Sequence, residues 1–156
     1  MPTVVLLQGV SGSGKSTVAK RLVDEARSQG RTAVVVSADH YFEKDGEYKF
    51  DGRYLEAAHA TCFKRFQEAL ASRVDLVVVD NTATKLERLT PYVLATSAAN
   101  LDLEVKYEVK VLRIRCDVRV AAERNVHRVP ERKIREMAAD IAACRFPFHW
   151  KWETVG

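Results

Sequence analysis

A chain of 156 residues, 47% hydrophobic and 29% charged, has the balance of one folded domain with a buried core, which excludes a disordered or fibrous polymer. The net charge of +4 is gathered toward the C-terminal third, where Arg113 to Lys151 holds ten Lys/Arg against five Asp/Glu. That bias suits a polyphosphate or nucleic-acid partner, or solvated helix faces with internal ion pairs.

In chain order, Val4-Val5-Leu6-Leu7 is a short apolar run of the kind that makes a buried strand. It enters Gly9-Val10-Ser11-Gly12-Ser13-Gly14-Lys15-Ser16-Thr17, which reads G-x-x-x-x-G-K-S, and a helical pattern follows to Ser28. Strand, glycine-rich turn and helix together form a phosphate site. A helix start leaves backbone N–H groups unpaired and partly positive, and the glycines let the loop curl so that more of them face an anion. Ser11, Gly12, Ser13, Gly14, Lys15, Ser16 and Thr17 are therefore the expected cradle for a nucleotide polyphosphate. Lys15 adds a full charge beside the β- and γ-phosphates, and the Ser16 hydroxyl is the expected Mg²⁺ ligand.

The helix is expected to stop near Gly30, and Thr32 to Ser37 forms a second buried strand. Its end delivers Ala38-Asp39-His40-Tyr41, where ligands bind in open α/β sheets. Phe42 to Gly52 reads as a long loop, and Lys44, Lys49 and Arg53, interleaved with Tyr41, Phe42, Tyr48 and Phe50, make it a candidate acceptor surface. Tyr54 to Leu70 is helical. Asp75 to Asp80, with four apolar residues ending in an acid, is a strand of Walker-B form, with Asp80 placed to hold Mg²⁺ directly or through water. Asn81 and Thr82 either position the acceptor or the base, or cap the next turn.

Thr82 to Leu89 is expected as a turn or short helix, and Thr90-Pro91 as the N-cap and first residue of a helix to Asn100. Lys106 to Arg115 alternates as a strand. Asp117 caps a short helix over Val118–Asn125, Pro130 starts another through Ala143, and the aromatic tail from Arg145 packs on the sheet or adds an edge strand at Lys151 to Val155. Strands alternating with helices predict a three-layer α/β fold with a mainly parallel four- or five-stranded sheet, of P-loop NTPase type by its G-x-x-x-x-G-K-S motif, in a single domain over residues 1–156.

Cys62, Cys116 and Cys144 lack C-x-x-C spacing, and the four histidines share no metal-ligand spacing, so neither a disulfide framework nor a zinc site is expected. No stretch approaches the roughly 18 apolar residues of a membrane span, and Met1-Pro2-Thr3 carries no basic leader, so a cytoplasmic protein without membrane contact is the expectation.

Residues 9–17, Ser37-Ala38-Asp39-His40-Tyr41, Asp80-Asn81-Thr82 and Glu123-Arg124-Asn125-Val126-His127-Arg128, in that order, resemble the kinase module of polynucleotide 5′-hydroxyl kinases. They equally resemble the related small single-domain P-loop kinases, including the nucleotide-binding region of the NEDD4-binding-protein-like group. The likeness runs over about residues 3 to 142, and Tyr41-Phe42, Phe50-Asp51 and Arg124-Asn125-x-His127-x-Val129-Pro130 are closer to the second group. The resemblance implies that Asp39 is the general base on an attacking hydroxyl, and that Arg124 and Arg128 are lid arginines, in a helical lid of about residues 124–132, closing over the ATP phosphates.

One departure bears on the acceptor. Polynucleotide kinases commonly carry an arginine three residues after the aspartate, gripping an acceptor phosphate, and here that position is Phe42. The phenylalanine either stacks an acceptor base or packs under its loop. The expected activity is ATP- and Mg²⁺-dependent transfer of the γ-phosphoryl group to a hydroxyl, a polynucleotide 5′-hydroxyl first. A small metabolite, antibiotic or modified-base hydroxyl is the second expectation, and a non-catalytic nucleotide switch the third. The absence of an N-K-x-D motif argues against a GTPase. Oligomeric state is left open.

Overall fold

The computed structural model describes residues 1–125 and 127–156; Val126 lies outside the described residues. Five strands form one sheet in the order β2-β5-β1-β6-β7, from Ala33–Val36 (β2), Leu76–Asp80 (β5), Thr3–Gln8 (β1), Glu108–Ile114 (β6) and Lys151–Val155 (β7), and every neighbouring pair is parallel. The central strand β1 is buried on both faces, which is why its sequence is continuously apolar rather than alternating. Val4 and Leu6 face one layer with Val77, Val79 and Val111. Val5 and Leu7 face the other with Val78, Leu112 and Ile114.

Helix α1 (Lys15–Ser28) covers the second face through Ala19, Val23 and Ala26. It ends as a glycine stop should: Gly30 takes φ +76°, and the Arg31 N–H donates back to the Ala26 carbonyl at 3.0 Å. Helices α2 (Leu55–Ala71) and α3 (Leu86–Asn100) cover the first face. Phe66, fully buried, meets the Tyr92 ring edge to face at 4.9 Å. Helices α4 (Val118–Arg124) and α5 (Glu131–Ala143) form a small third core with Val10 of the glycine-rich loop, built on Ala121, Ile134 and Ile141. Asp117 caps α4 through the Arg119 N–H at 2.8 Å.

Two expectations are corrected. Residues 42–52 are not a plain loop: β3 (Glu43–Lys44) and β4 (Glu47–Tyr48) make a hairpin, closed by Asp45 and Gly46 at φ 53° and 78°. Positive φ at both central residues is the demand of a two-residue hairpin turn, and Asp-Gly satisfies it. Nor does Thr90 cap a helix, since α3 begins at Leu86 and runs through Pro91. The Thr90 hydroxyl donates to the Leu86 carbonyl at 2.9 Å from inside the helix. Burial of Leu89 and Tyr92, three positions apart on one helix face, outweighs the hydrogen bond to Glu87 that Pro91 cannot make.

The aromatic tail both packs and pairs. Phe146 and Trp150 lie on the first face, and β7 adds an edge beside β6. Between them Arg113 is held with its guanidinium 4.7 Å from the Phe146 ring centre and 5.2 Å from that of Trp152. It donates to the fully buried Gln8 at 2.8 Å and to the Cys144 carbonyl at 3.0 Å, while Gln8 donates to the Ala83 carbonyl at 3.0 Å. The cysteines are free, and among the described residues no helix is long and apolar enough to cross a membrane.

Candidate active site

β1 hands the chain to the glycine-rich loop, and two glycines shape it. Gly12 at φ +80° lies so close to α4 that a Cβ there would fall 2.0 Å from the Ala121 carbonyl oxygen, and Gly14 takes φ +99° at the start of α1. Among the described residues no side chain caps α1, and its first turn carries no acid. Its N–H groups and the positive end of its dipole are thus left to an anion. The Gly9 N–H donates to the Thr82 carbonyl at 3.1 Å, tying the loop to the end of β5.

Lys15 curls back over the loop and donates to the Val10 carbonyl at 2.9 Å. Burial pushes its ammonium below the ordinary lysine range, and the nearby carboxylates of Asp80 and Asp39 partly oppose that. A desolvated cation between two acids is suited to hold a phosphate that brings its own negative charge. Asp80 ends β5 beside Leu7 of β1, and the Ser16 hydroxyl donates to its Oδ2 at 2.9 Å. Two hard oxygen donors at that separation fit Mg²⁺, which takes few protein ligands and keeps water and phosphate in its other positions. Among the described residues no cluster of three or more His, Cys, Asp or Glu offers an alternative metal centre.

Asp39 stands on a 3-10 turn, Ala38–Phe42, at the end of β2. The turn is fixed from both sides: Ser37 Oγ accepts from the Asp39 N–H at 3.1 Å, and Asn81 Oδ1 accepts from the Ala38 N–H at 2.9 Å. Asn81 therefore holds the turn that carries the carboxylate. On the side chain itself, the Tyr48 hydroxyl donates to Oδ1 at 3.2 Å, and His127 Nδ1 stands 3.7 Å from Oδ2. The Tyr48 and His127 rings stack at 3.8 Å with 9° between their planes.

These elements enclose a cleft of about 430 Å³. Ser11, Gly12, Gly14, Lys15, Ser16 and Thr17 line one wall, Asp39 with Asp80, Asn81 and Thr82 the floor, and Arg124, Asn125 and His127 the far side. Two expected residues stand apart. Ser13 is buried behind the loop, its hydroxyl without a hydrogen-bond partner among the described residues, and Arg128 is exposed at φ 55° outside the lining. Phe42 is 4% exposed and rests among Tyr41, Tyr48 and Phe50, with ring centres 5.1 to 6.2 Å away. It packs under the hairpin and presents no face to an acceptor base.

The supposed basic surface is also balanced differently. Across residues 41–54, Glu43, Asp45, Glu47 and Asp51 outnumber Lys44, Lys49 and Arg53, and Asp51 holds Arg53 at 2.7 Å. Sequence reasoning assigned no site role to His127 or Asn125. The signal available was their spacing within Arg124-Asn125-x-His127, next to a residue already marked as a lid arginine.

The profile of the AAA domain family matches residues 4–144. The chain belongs to that family. Human NEDD4-binding protein 2 is 34% identical over 140 residues, covering 86% of this chain and 7% of that protein, so the chain spans a small fraction of the relative's length. Among solved structures, the Pnkp1/Rnl/Hen1 RNA repair complex aligns with a TM-score of 0.68 at 18% identity, over 91% of this chain and 44% of the matched chain. A sugar kinase from Janibacter sp. HTCC2649 aligns with a TM-score of 0.65 at 15% identity, over 99% and 85%. The fold is that of the P-loop kinases.

Proposed function

We propose that the chain is an ATP- and Mg²⁺-dependent phosphotransferase that moves the γ-phosphoryl group to a hydroxyl. The observation that carries this reading is the placement of Asp39 in one cleft with Lys15 and the Ser16–Asp80 pair. A phosphate loop alone serves many nucleotide enzymes; a carboxylate facing it from the neighbouring strand end supplies what a hydroxyl acceptor needs. The loop N–H groups and Lys15 hold the phosphates. Asp39 accepts the proton of the acceptor hydroxyl as its oxygen bonds to the γ-phosphorus and the bond to the β-phosphate oxygen breaks, releasing ADP. Arg124, at the end of α4, lines the far wall and is the cation that would offset charge on the transferred group. Mg²⁺ held by Ser16 and Asp80 would supply neutralisation of the charge on the phosphate oxygens.

A polynucleotide 5′-hydroxyl is the acceptor that the motif likeness and the likeness to the RNA repair complex support. A small-molecule hydroxyl is the second reading. It is favoured by the acidic excess of the hairpin beside Asp39, which repels a phosphate backbone, and by the burial of Phe42 where an acceptor-gripping arginine was expected.

Incubation with γ-labelled ATP and a panel of 5′-hydroxyl oligonucleotides, nucleosides and sugars separates the two. Label on oligonucleotides supports the first, and label confined to small molecules the second. Asp39→Asn is expected to lower transfer by about 10² to 10⁴ while ATP still binds. Wild-type transfer by that variant would remove Asp39 as the base.

A further inference from the structure

Asp39 is half exposed, and a carboxylate on a short turn has rotamers of its own to choose from. General-base catalysis needs one oxygen within hydrogen-bond reach of the acceptor proton, with its lone pair free. The geometry separates the two oxygens. Oδ1 accepts from the Tyr48 hydroxyl at 3.2 Å; Oδ2 has His127 Nδ1 at 3.7 Å, beyond a hydrogen bond, and accepts none among the described residues.

We infer that Tyr48 is the positioning residue of the kinase base: it occupies Oδ1, leaves Oδ2 to take the acceptor proton, and is held in place by its stack on His127. The inference rests on the hydroxyl-kinase reading of Asp39. Tyr48 is suited to the task because it stays a neutral donor, its phenol pushed well above the ordinary range by burial and by the Asp39 charge. The ring that carries the hydroxyl has two supports. Below it lies Phe42, with ring centres 6.2 Å apart, and against its face lies His127, parallel at 3.8 Å. His127 comes from the connector between α4 and α5, and Tyr48 from β4, so the hairpin beside the acceptor and the segment beside the nucleotide meet over the base. Phe42, which occupies the place of an acceptor-gripping arginine, is thereby explained as the floor under this tyrosine.

The test compares Tyr48→Phe, His127→Ala, His127→Phe and Asp39→Asn in full-length protein. Initial rates are measured with γ-labelled ATP on the best acceptor of the panel, or on water as uncoupled hydrolysis, alongside melting temperature and nucleotide affinity. Tyr48→Phe keeps the stack and loses the donor, so kcat is expected to fall about 10- to 100-fold, with KM for ATP and melting temperature unchanged. His127→Ala is expected to lower kcat by a similar factor, the aromatic His127→Phe to recover most of it, and Tyr48→Phe combined with His127→Ala to be no slower than the worse single variant. Wild-type kcat in Tyr48→Phe, when Asp39→Asn has lost activity, overturns the inference and leaves the kinase reading standing. Full activity in Asp39→Asn, or no transfer and no hydrolysis by the wild type, overturns both. A His127→Phe variant as slow as His127→Ala refutes the role of the stack.

Discussion

Replacing Gly12 and Gly14 separately by alanine distinguishes two duties that the glycine-rich loop performs. Both residues sit at positive φ, where an L side chain costs about 1–2 kcal/mol. That strain is present in the free protein, so it acts on folding. At roughly 2–4 °C of melting temperature per kcal/mol for a chain of this size, that strain alone is expected to lower the melting temperature of Gly14→Ala by about 2–8 °C, and Gly12→Ala is expected to melt lower still. Only Gly12 has a second problem. A Cβ at Gly14 meets nothing within 4 Å, whereas at Gly12 it falls 2.0 Å from the Ala121 carbonyl oxygen. A carbon-to-oxygen contact needs about 3.3 Å, so loop and α4 must part by roughly 1 Å. Ala121 cannot retreat, being fully buried against the α4–α5 core. A displacement of that size at a catalytic loop costs about 10²-fold in rate. Thermal melts, titration with a fluorescent ATP analogue and initial rates of transfer measure all three quantities. Gly14→Ala is expected to lose stability with affinity within about 3-fold of wild type, since the loop keeps its shape. Gly12→Ala is expected to lose about 100-fold in kcat/KM as well. Equal losses in the two variants would refute the claim that contact with α4 sets the loop's position.

Two further predictions concern packing. Phe42→Arg, which restores the residue expected of polynucleotide kinases, places a charge in an aromatic site only 4% exposed and is expected to cost about 3 kcal/mol or more in urea unfolding, with no gain in oligonucleotide affinity. Tighter oligonucleotide binding by a stable variant would contradict the packing role. Pro91→Ala returns an N–H to the interior of α3 and is expected to raise stability by about 1–3 kcal/mol; an unchanged or lower urea midpoint would show that Pro91 fits the helix without loss.

The parts of this protein legible in its sequence are those where chemistry and backbone sit in one short stretch. The loop announces itself because Gly12, Gly14, Lys15 and Ser16 act within five residues, and Asp80 because an acid directly ends an apolar strand. The glycine stop of α1, the Asp117 cap and the β7 edge were legible for the same reason. The α3 boundary was not, because burial of Leu89 and Tyr92 against the α2 layer is decided by residues distant in sequence. The hairpin is not legible because Glu-Lys-Asp-Gly-Glu-Tyr lacks apolar alternation, leaving only its Asp-Gly turn as a sign. The Tyr48–His127 stack joins segments that α2, α3 and α4 separate in chain order, and no local pattern in either predicts the meeting.

The Gln8–Arg113 contact has a practical consequence for where this domain is cut. The family match ends at residue 144, so a fragment cloned to that limit would keep Arg113 but discard Phe146, Trp152 and the whole of β7. The guanidinium would lose both aromatic faces and keep its Cys144 carbonyl only as part of a cut chain end, which loosens its hold on Gln8, whose amide is fully buried one residue before the phosphate loop begins. A boundary drawn on sequence likeness would thus fall on the support of the nucleotide site, and a weak or inactive fragment of that length would report on the cloning limit instead of the chemistry.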